Sequence, residues 1–138
     1  MKLRTLLRMT PLLLAPIMVV SCGDETAPDE GHHPHSARLF VGAIDVTSNF
    51  SLATTTTVVV EVRFYNEAGD LITGIESDHF ASLTFTPGAL ATVTDVVDNN
   101  FHKSVTAGAP GTGTVMVGYG HDAAADEESF GPFNVTVN

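Results

Sequence analysis

From residue 37 onward the chain consists of short runs rich in Val, Thr and Phe, separated by Gly, Pro, Asn and Asp, and in several of them apolar and polar residues alternate with a period of two. The clearest run is residues 57–65, where Val58, Val60, Val62 and Phe64 fall on one face and Glu61, Arg63 and Tyr65 on the other. That alternation predicts a half-buried strand, because successive side chains of an extended chain point to opposite faces. Asn66-Glu67-Ala68-Gly69-Asp70 supplies turn chemistry, and Leu71-Ile72-Thr73 returns as a second short strand. Further strands are predicted over 38–46, 82–86, 91–97, 101–106, 113–119 and 133–137. In 113–119, Val115, Val117 and Tyr119 oppose Thr114, Met116 and Gly118; at the end, Phe133, Val135 and Val137 alternate with Asn134 and Thr136. After residue 22 no apolar period of 3.6 persists for three turns, so the fold class is all-β. The cluster Asp95, Asp98, Asn99 and Asn100 is read as turn chemistry alone.

Seven or eight short antiparallel strands in about 100 residues predict a single β-sandwich over 37–138, for which an immunoglobulin-like topology is the commonest solution. The order Val-Arg-Phe-Tyr-Asn-Glu-Ala-Gly-Asp-Leu-Ile-Thr-Gly (62–74), Pro-Gly-Ala-Leu-Ala-Thr-Val-Thr (87–94), Val-Thr-Ala-Gly-Ala-Pro-Gly-Thr-Gly-Thr-Val-Met-Val (105–117) and Phe-Asn-Val-Thr-Val (133–137) is similar to bacterial Ig-like domains of the invasin and surface-protein kind. The resemblance spans roughly residues 56–138. It implies a non-catalytic binding or structural module that contacts a protein or other macromolecule through loops or an edge strand. The chain has no Trp and one Cys, which excludes an antibody-type domain built on a disulfide and its packing Trp. It holds one copy of the pattern, where adhesins string several together.

The first residues follow a different rule. Lys2, Arg4 and Arg8 precede the apolar run 12–20, the layout of a secretory signal. That run is about half the roughly 20 residues a spanning helix needs, and Pro11 and Pro16 limit its helical continuity. Val19-Val20-Ser21-Cys22-Gly23 then resembles the lipobox of bacterial lipoproteins, with the chain's one cysteine where the motif demands it. The resemblance implies cleavage after residue 21, a diacylglycerol thioether on Cys22 and anchorage by lipid, including palmitate-type acyl chains. Gly23, rather than Asp, after the cysteine points to the outer membrane, on its periplasmic or surface side. Residues 22–36 hold no aliphatic side chain larger than alanine and include two prolines, so a lipidated cysteine and a flexible acidic, His-rich tether are expected there.

Charge narrows the partners. From Cys22 onward, Arg38, Arg63 and Lys103 stand against all sixteen acids, a net of −13. Such a field repels nucleic acid and anionic head groups and leaves cations and basic partners open. Metal chemistry has two candidate seats. His32, His33 and His35 form the tether motif His-His-Pro-His, and neighbouring imidazoles chelate Zn, Cu or Ni. His102 and His121 come from neighbouring strand regions and, with Asp122, are expected to converge at one end of the sandwich; carboxylates on 122–128 offer oxygen ligands to Ca²⁺ instead. A metal-binding lipoprotein built on these residues is the alternative to the binding module. No G-x-S-x-G, H-E-x-x-H, phosphate loop or dinucleotide pattern occurs, so no catalytic residue is assigned and an enzyme is not expected.

Overall fold

The structure, a computed structural model, describes residues 33–122 and 125–138. The signal segment, Cys22, His32 and the expected tether up to residue 32 lie outside the described residues. Nine strands are present among them: β1 Ser36–Val41, β2 Ile44–Asp45, β3 Phe50–Leu52, β4 Thr57–Tyr65, β5 Phe80–Thr86, β6 Ala91–Val96, β7 Asn99–Ala107, β8 Gly111–Gly120 and β9 Glu128–Val137. One 3₁₀ turn, Gly88–Leu90, precedes β6.

Strand parity builds the two layers. In β4 Val60, Val62 and Phe64 are buried while Glu61 and Arg63 point outward; in β8 Val115, Val117 and Tyr119 turn inward, and in β9 Val135 and Val137 do. The long strands therefore hide one face, and two sheets close over the hidden faces. One sheet runs β2-β1-β4-β7-β6 and the other β3-β9-β8-β5. The order β1-β4-β7-β6 against β5-β8-β9 reproduces the A-B-E-D against C-F-G arrangement of a constant-type immunoglobulin domain. The fold is an Ig-like β-sandwich. Phe50, Phe64, Leu39, Val60, Val105, Val115, Val117 and Val135 are its fully buried centre.

Several expected boundaries move. The segment 38–46 is broken by a turn at Gly42, whose positive φ of 60° reverses the chain into β2. Residues 46–49 then carry the chain across to the other sheet, where β3 pairs β9 in parallel, so the strands number nine and one pair is not antiparallel. Residues 71–73 form no strand: Leu71 makes a single bridge to Tyr65, and the chain leaves for β5 in the opposite layer. Order also begins before residue 37, since Ser36 is in β1 and the His35 amide donates to the Tyr65 carbonyl at 2.8 Å.

Candidate functional site

Three connections emerge at one end of the sandwich, where the chain also enters through residues 33–35: 66–79 between β4 and β5, the 97–98 hairpin between β6 and β7, and 121–127 between β8 and β9. Beneath them lies an aromatic cluster. Phe64 meets Phe101, Tyr119 and Phe130 with ring centroids 6.0, 4.8 and 5.7 Å away, in tilted and edge-on geometries that aromatic quadrupoles favour. Tyr119 continues the series outward: the His79 ring stacks on it at 5.1 Å and 28°, and the His121 ring lies 3.9 Å from that of His79.

Local hydrogen bonds fix both histidine-bearing loops. Asn66 accepts the Asp70 amide at its side chain and its own amide reaches the Asp70 carbonyl, closing the start of the first connection. Asn100, on β7, donates its side-chain amide to the carbonyls of Ser77 and His79 at 2.7 and 2.9 Å, pinning the last residues before β5. The 121–127 connection folds back over β8. Ala125 is buried, its amide donates to the Asp122 carbonyl at 2.9 Å, and the Glu127 amide donates to the Tyr119 carbonyl at 3.0 Å. Gly118 makes room for this return, because a Cβ there would overlap the Ala125 carbonyl and the Ser82 hydroxyl.

The loops enclose a cavity of about 150 Å³ lined by His33, Ile75, Glu76, His79, Tyr119, His121 and Glu127. His79 is buried, 9% exposed, and its Nδ1 lies 3.1 Å from Asp78 Oδ1. His121 Nδ1 lies 2.5 Å from Glu127 Oε1, and His33 Nδ1 3.4 Å from Glu128 Oε1. The Tyr119 hydroxyl, fully buried, is the one buried side-chain polar atom without a hydrogen-bond partner among the described residues.

Charge is strongly segregated. Arg38, Arg63 and Lys103 all lie on the five-stranded sheet, beside Asp45 at 3.9 Å, Glu61 at 2.6 Å and Asp95 at 2.5 Å. The remaining nine of the twelve acids in 33–138, namely Glu67, Asp70, Glu76, Asp78, Asp98, Asp122, Asp126, Glu127 and Glu128, sit on the three connections or at the first residue of β9. No Lys or Arg accompanies them on those segments. The field shows in the titration of its neighbours. The hydrogen bond to Glu127, with the charges of Glu127, Asp78 and Glu76, raises the His121 pKa, and the same bond lowers that of Glu127. Burial, with Glu128, Glu127, Asp78 and Glu76 around it, pushes Tyr119 up to about 12.

Of the residues singled out from sequence, His33 and His121 meet at this cavity. Asp122 is the exposed second residue of the 121–127 connection. His35 lines a separate shallow depression with Phe130 and Phe133. The expected convergence of His102 with His121 does not occur. Parity on β7 turns Phe101, Lys103 and Val105 inward and His102 outward, where its Nε2 faces Glu61 Oε2 at 3.9 Å on the outer side of the five-stranded sheet. The partner of His121 is instead His79. Among the described residues, Asp78, His79 and His121 form a group whose ligand-type atoms all lie within 4.8 Å of one another. The sequence pattern alone assigns no site role to Asp78, His79, Tyr119 or Asn100. It does hold one signal: Tyr119 and His121 are two apart on a strand and its edge, hence on one side.

No protein-family model and no curated protein matches the chain. Among solved structures, the fold is similar to that described as the crystal structure of the Lin-41 filamin domain, with a TM-score of 0.42 and 14% identity, covering 78% of this chain and 97% of that one.

Proposed function

We propose that this protein is an exported, lipid-anchored, non-catalytic Ig-like module that takes a cationic ligand at the loop end of its sandwich. The observation that carries the reading is the charge segregation: every Lys and Arg in 33–138 is matched by an acid on one sheet, while nine acids, His33, His79 and His121 gather around the loops. A concentrated negative field at one pole attracts and orients a positively charged ligand. With lipid on Cys22 in the outer membrane and a tether leading to the fold at residue 33, that pole is the end at which the chain enters the domain. Replacing Cys22 by Ser should abolish incorporation of labelled fatty acid and release the protein from membranes. Backbone amide shifts on titration with Ca²⁺, Zn²⁺ or a lysine-rich peptide should concentrate in 66–79, 97–98 and 121–127. A flat response to all three, or shifts confined to the outer face of the five-stranded sheet, sinks the loop-end assignment.

A further inference from the structure

Resting on that reading and sharpening it, we propose that the loop end is a transition-metal site in which Asp78, His79 and His121 bind one Zn²⁺-class divalent ion and His33 closes the coordination from the N-terminal side. The three ligand-type atoms lie within 4.8 Å of one another on two loops that separate hydrogen-bond systems hold in place. Around a tetrahedral ion with bonds of about 2.0–2.1 Å, ligand atoms stand about 3.3 Å apart. The 3.1 Å between Asp78 Oδ1 and His79 Nδ1 already matches that spacing. A rotamer adjustment of His121, whose side chain is half exposed, brings in the third.

The surroundings have the chemistry such a site needs. Glu127 sits on His121 Nδ1, which directs Nε2 of the same ring away as the ligating nitrogen, the carboxylate-behind-histidine arrangement that orients metal ligands. His79 is buried against Tyr119, so its ring is pre-positioned with little ordering entropy left to lose. The buried Tyr119 hydroxyl, which has no hydrogen-bond partner among the described residues, belongs to a residue lining this cavity, and buried polar groups almost always find a partner. Imidazole with carboxylate selects Zn²⁺, Cu²⁺ or Ni²⁺ over Ca²⁺ and Mg²⁺, which take all-oxygen shells. His33 lines the same cavity from the chain's entry, 79% exposed at its side chain and 3.4 Å from Glu128, so an ion would draw it inward. Metal binding thereby fastens residue 33 to the sandwich.

Isothermal titration of the purified protein with Zn²⁺, Cu²⁺, Ni²⁺, Ca²⁺ and Mg²⁺ tests this. The expected result is one Zn²⁺ per chain with submicromolar affinity and no comparable heat from Ca²⁺ or Mg²⁺. His121→Gln, an exposed position where folding is not at stake, should abolish the site, and His79→Gln should do the same provided its circular dichroism stays native. Glu127→Gln should weaken binding about 10- to 100-fold. His102→Ala and the His32→Ala/His35→Ala pair should leave it unchanged. Binding that survives His121→Gln, or that disappears only when the His-His-Pro-His segment is altered, overturns the proposal in favour of tether chelation. Absence of Zn²⁺ binding alongside loop-end shifts with the lysine-rich peptide would end the metal site and leave the cationic-ligand module standing; absence of both would end the two together.

Discussion

Tyr119 belongs both to the core and to the lining of the loop-end cavity. Its ring packs edge-on to Phe64 at 4.8 Å, while the oxygen is buried without a hydrogen-bond partner. A buried unsatisfied hydroxyl costs about 1–3 kcal/mol. Tyr119→Phe should therefore leave the metal-free protein equally or more stable in chemical denaturation; a loss above about 1 kcal/mol would mean that the hydroxyl has a partner. The same variant should remove a spectrophotometric tyrosine titration near pH 12, the value to which burial and four neighbouring carboxylates push this phenol. Glu61 offers the opposite case. Its carboxylate is lowered chiefly by the Arg63 hydrogen bonds at 2.6 and 2.9 Å, then by the Arg63 and His102 charges. A depressed carboxylate adds stability that is complete above its unfolded value of 4.5 and drains away as the pH falls through the folded one. Glu61→Gln should flatten this small part of the acid limb in urea midpoints measured below pH 5 and change little at neutral pH.

Among the elements, the 121–127 connection depends on what β8 leaves empty. Any side chain at residue 118 collides with the Ala125 backbone, so Gly118→Ala must displace the loop instead of merely crowding a side chain. The cost expected for such overpacking is about 1–3 kcal/mol. Hydrogen exchange should rise at Ala125 and Glu127, whose amides are bonded within this return, and stay unchanged in β4 and β7. Uniform acceleration across the sheets would show that the glycine serves the fold as a whole. Parity along a strand is a local property, which is why the inward faces of β4, β8 and β9 are legible in the sequence itself at Val60, Val117 and Val135. Which strand meets which is not local. A three-residue β3 has too little periodicity to announce itself, and its parallel pairing with β9 spans 85 positions from Phe50 to Val135. The histidine pairing is hidden for the same reason: parity sets His102 opposite Phe101 and Val105, yet its meeting with Glu61 depends on the register of β7 against β4, and the meeting of His121 with His79 on two loops far apart in the chain. His79 lies in an irregular segment whose path is fixed by Asn100, more than twenty residues away.

Taken as a whole, the molecule has a neutralised side and an acidic pole, and the pole is where stability is most open to a ligand. Nine carboxylates without Lys or Arg among them repel one another, and the exposed His121–Glu127 pair offsets only part of this. A divalent ion at Asp78, His79 and His121 places two positive charges at the focus of that field and ties both long connections and the entering chain to one point. Anything that binds the native state alone stabilises it by mass action, about 2.7 kcal/mol when the free ion is 100 times the dissociation constant. For a domain near 100 residues each kcal/mol moves Tm by about 4–8 °C, so Zn²⁺ should raise it by roughly 10–20 °C. Scanning calorimetry with Zn²⁺ and then with excess chelator should show the rise and its reversal. His102→Ala should retain the shift and His121→Gln should lose it. An unmoved Tm at saturating Zn²⁺ would mean that the ion has no preference for the folded chain, and the acidic pole would then have to find its counter-charge in a basic macromolecular partner.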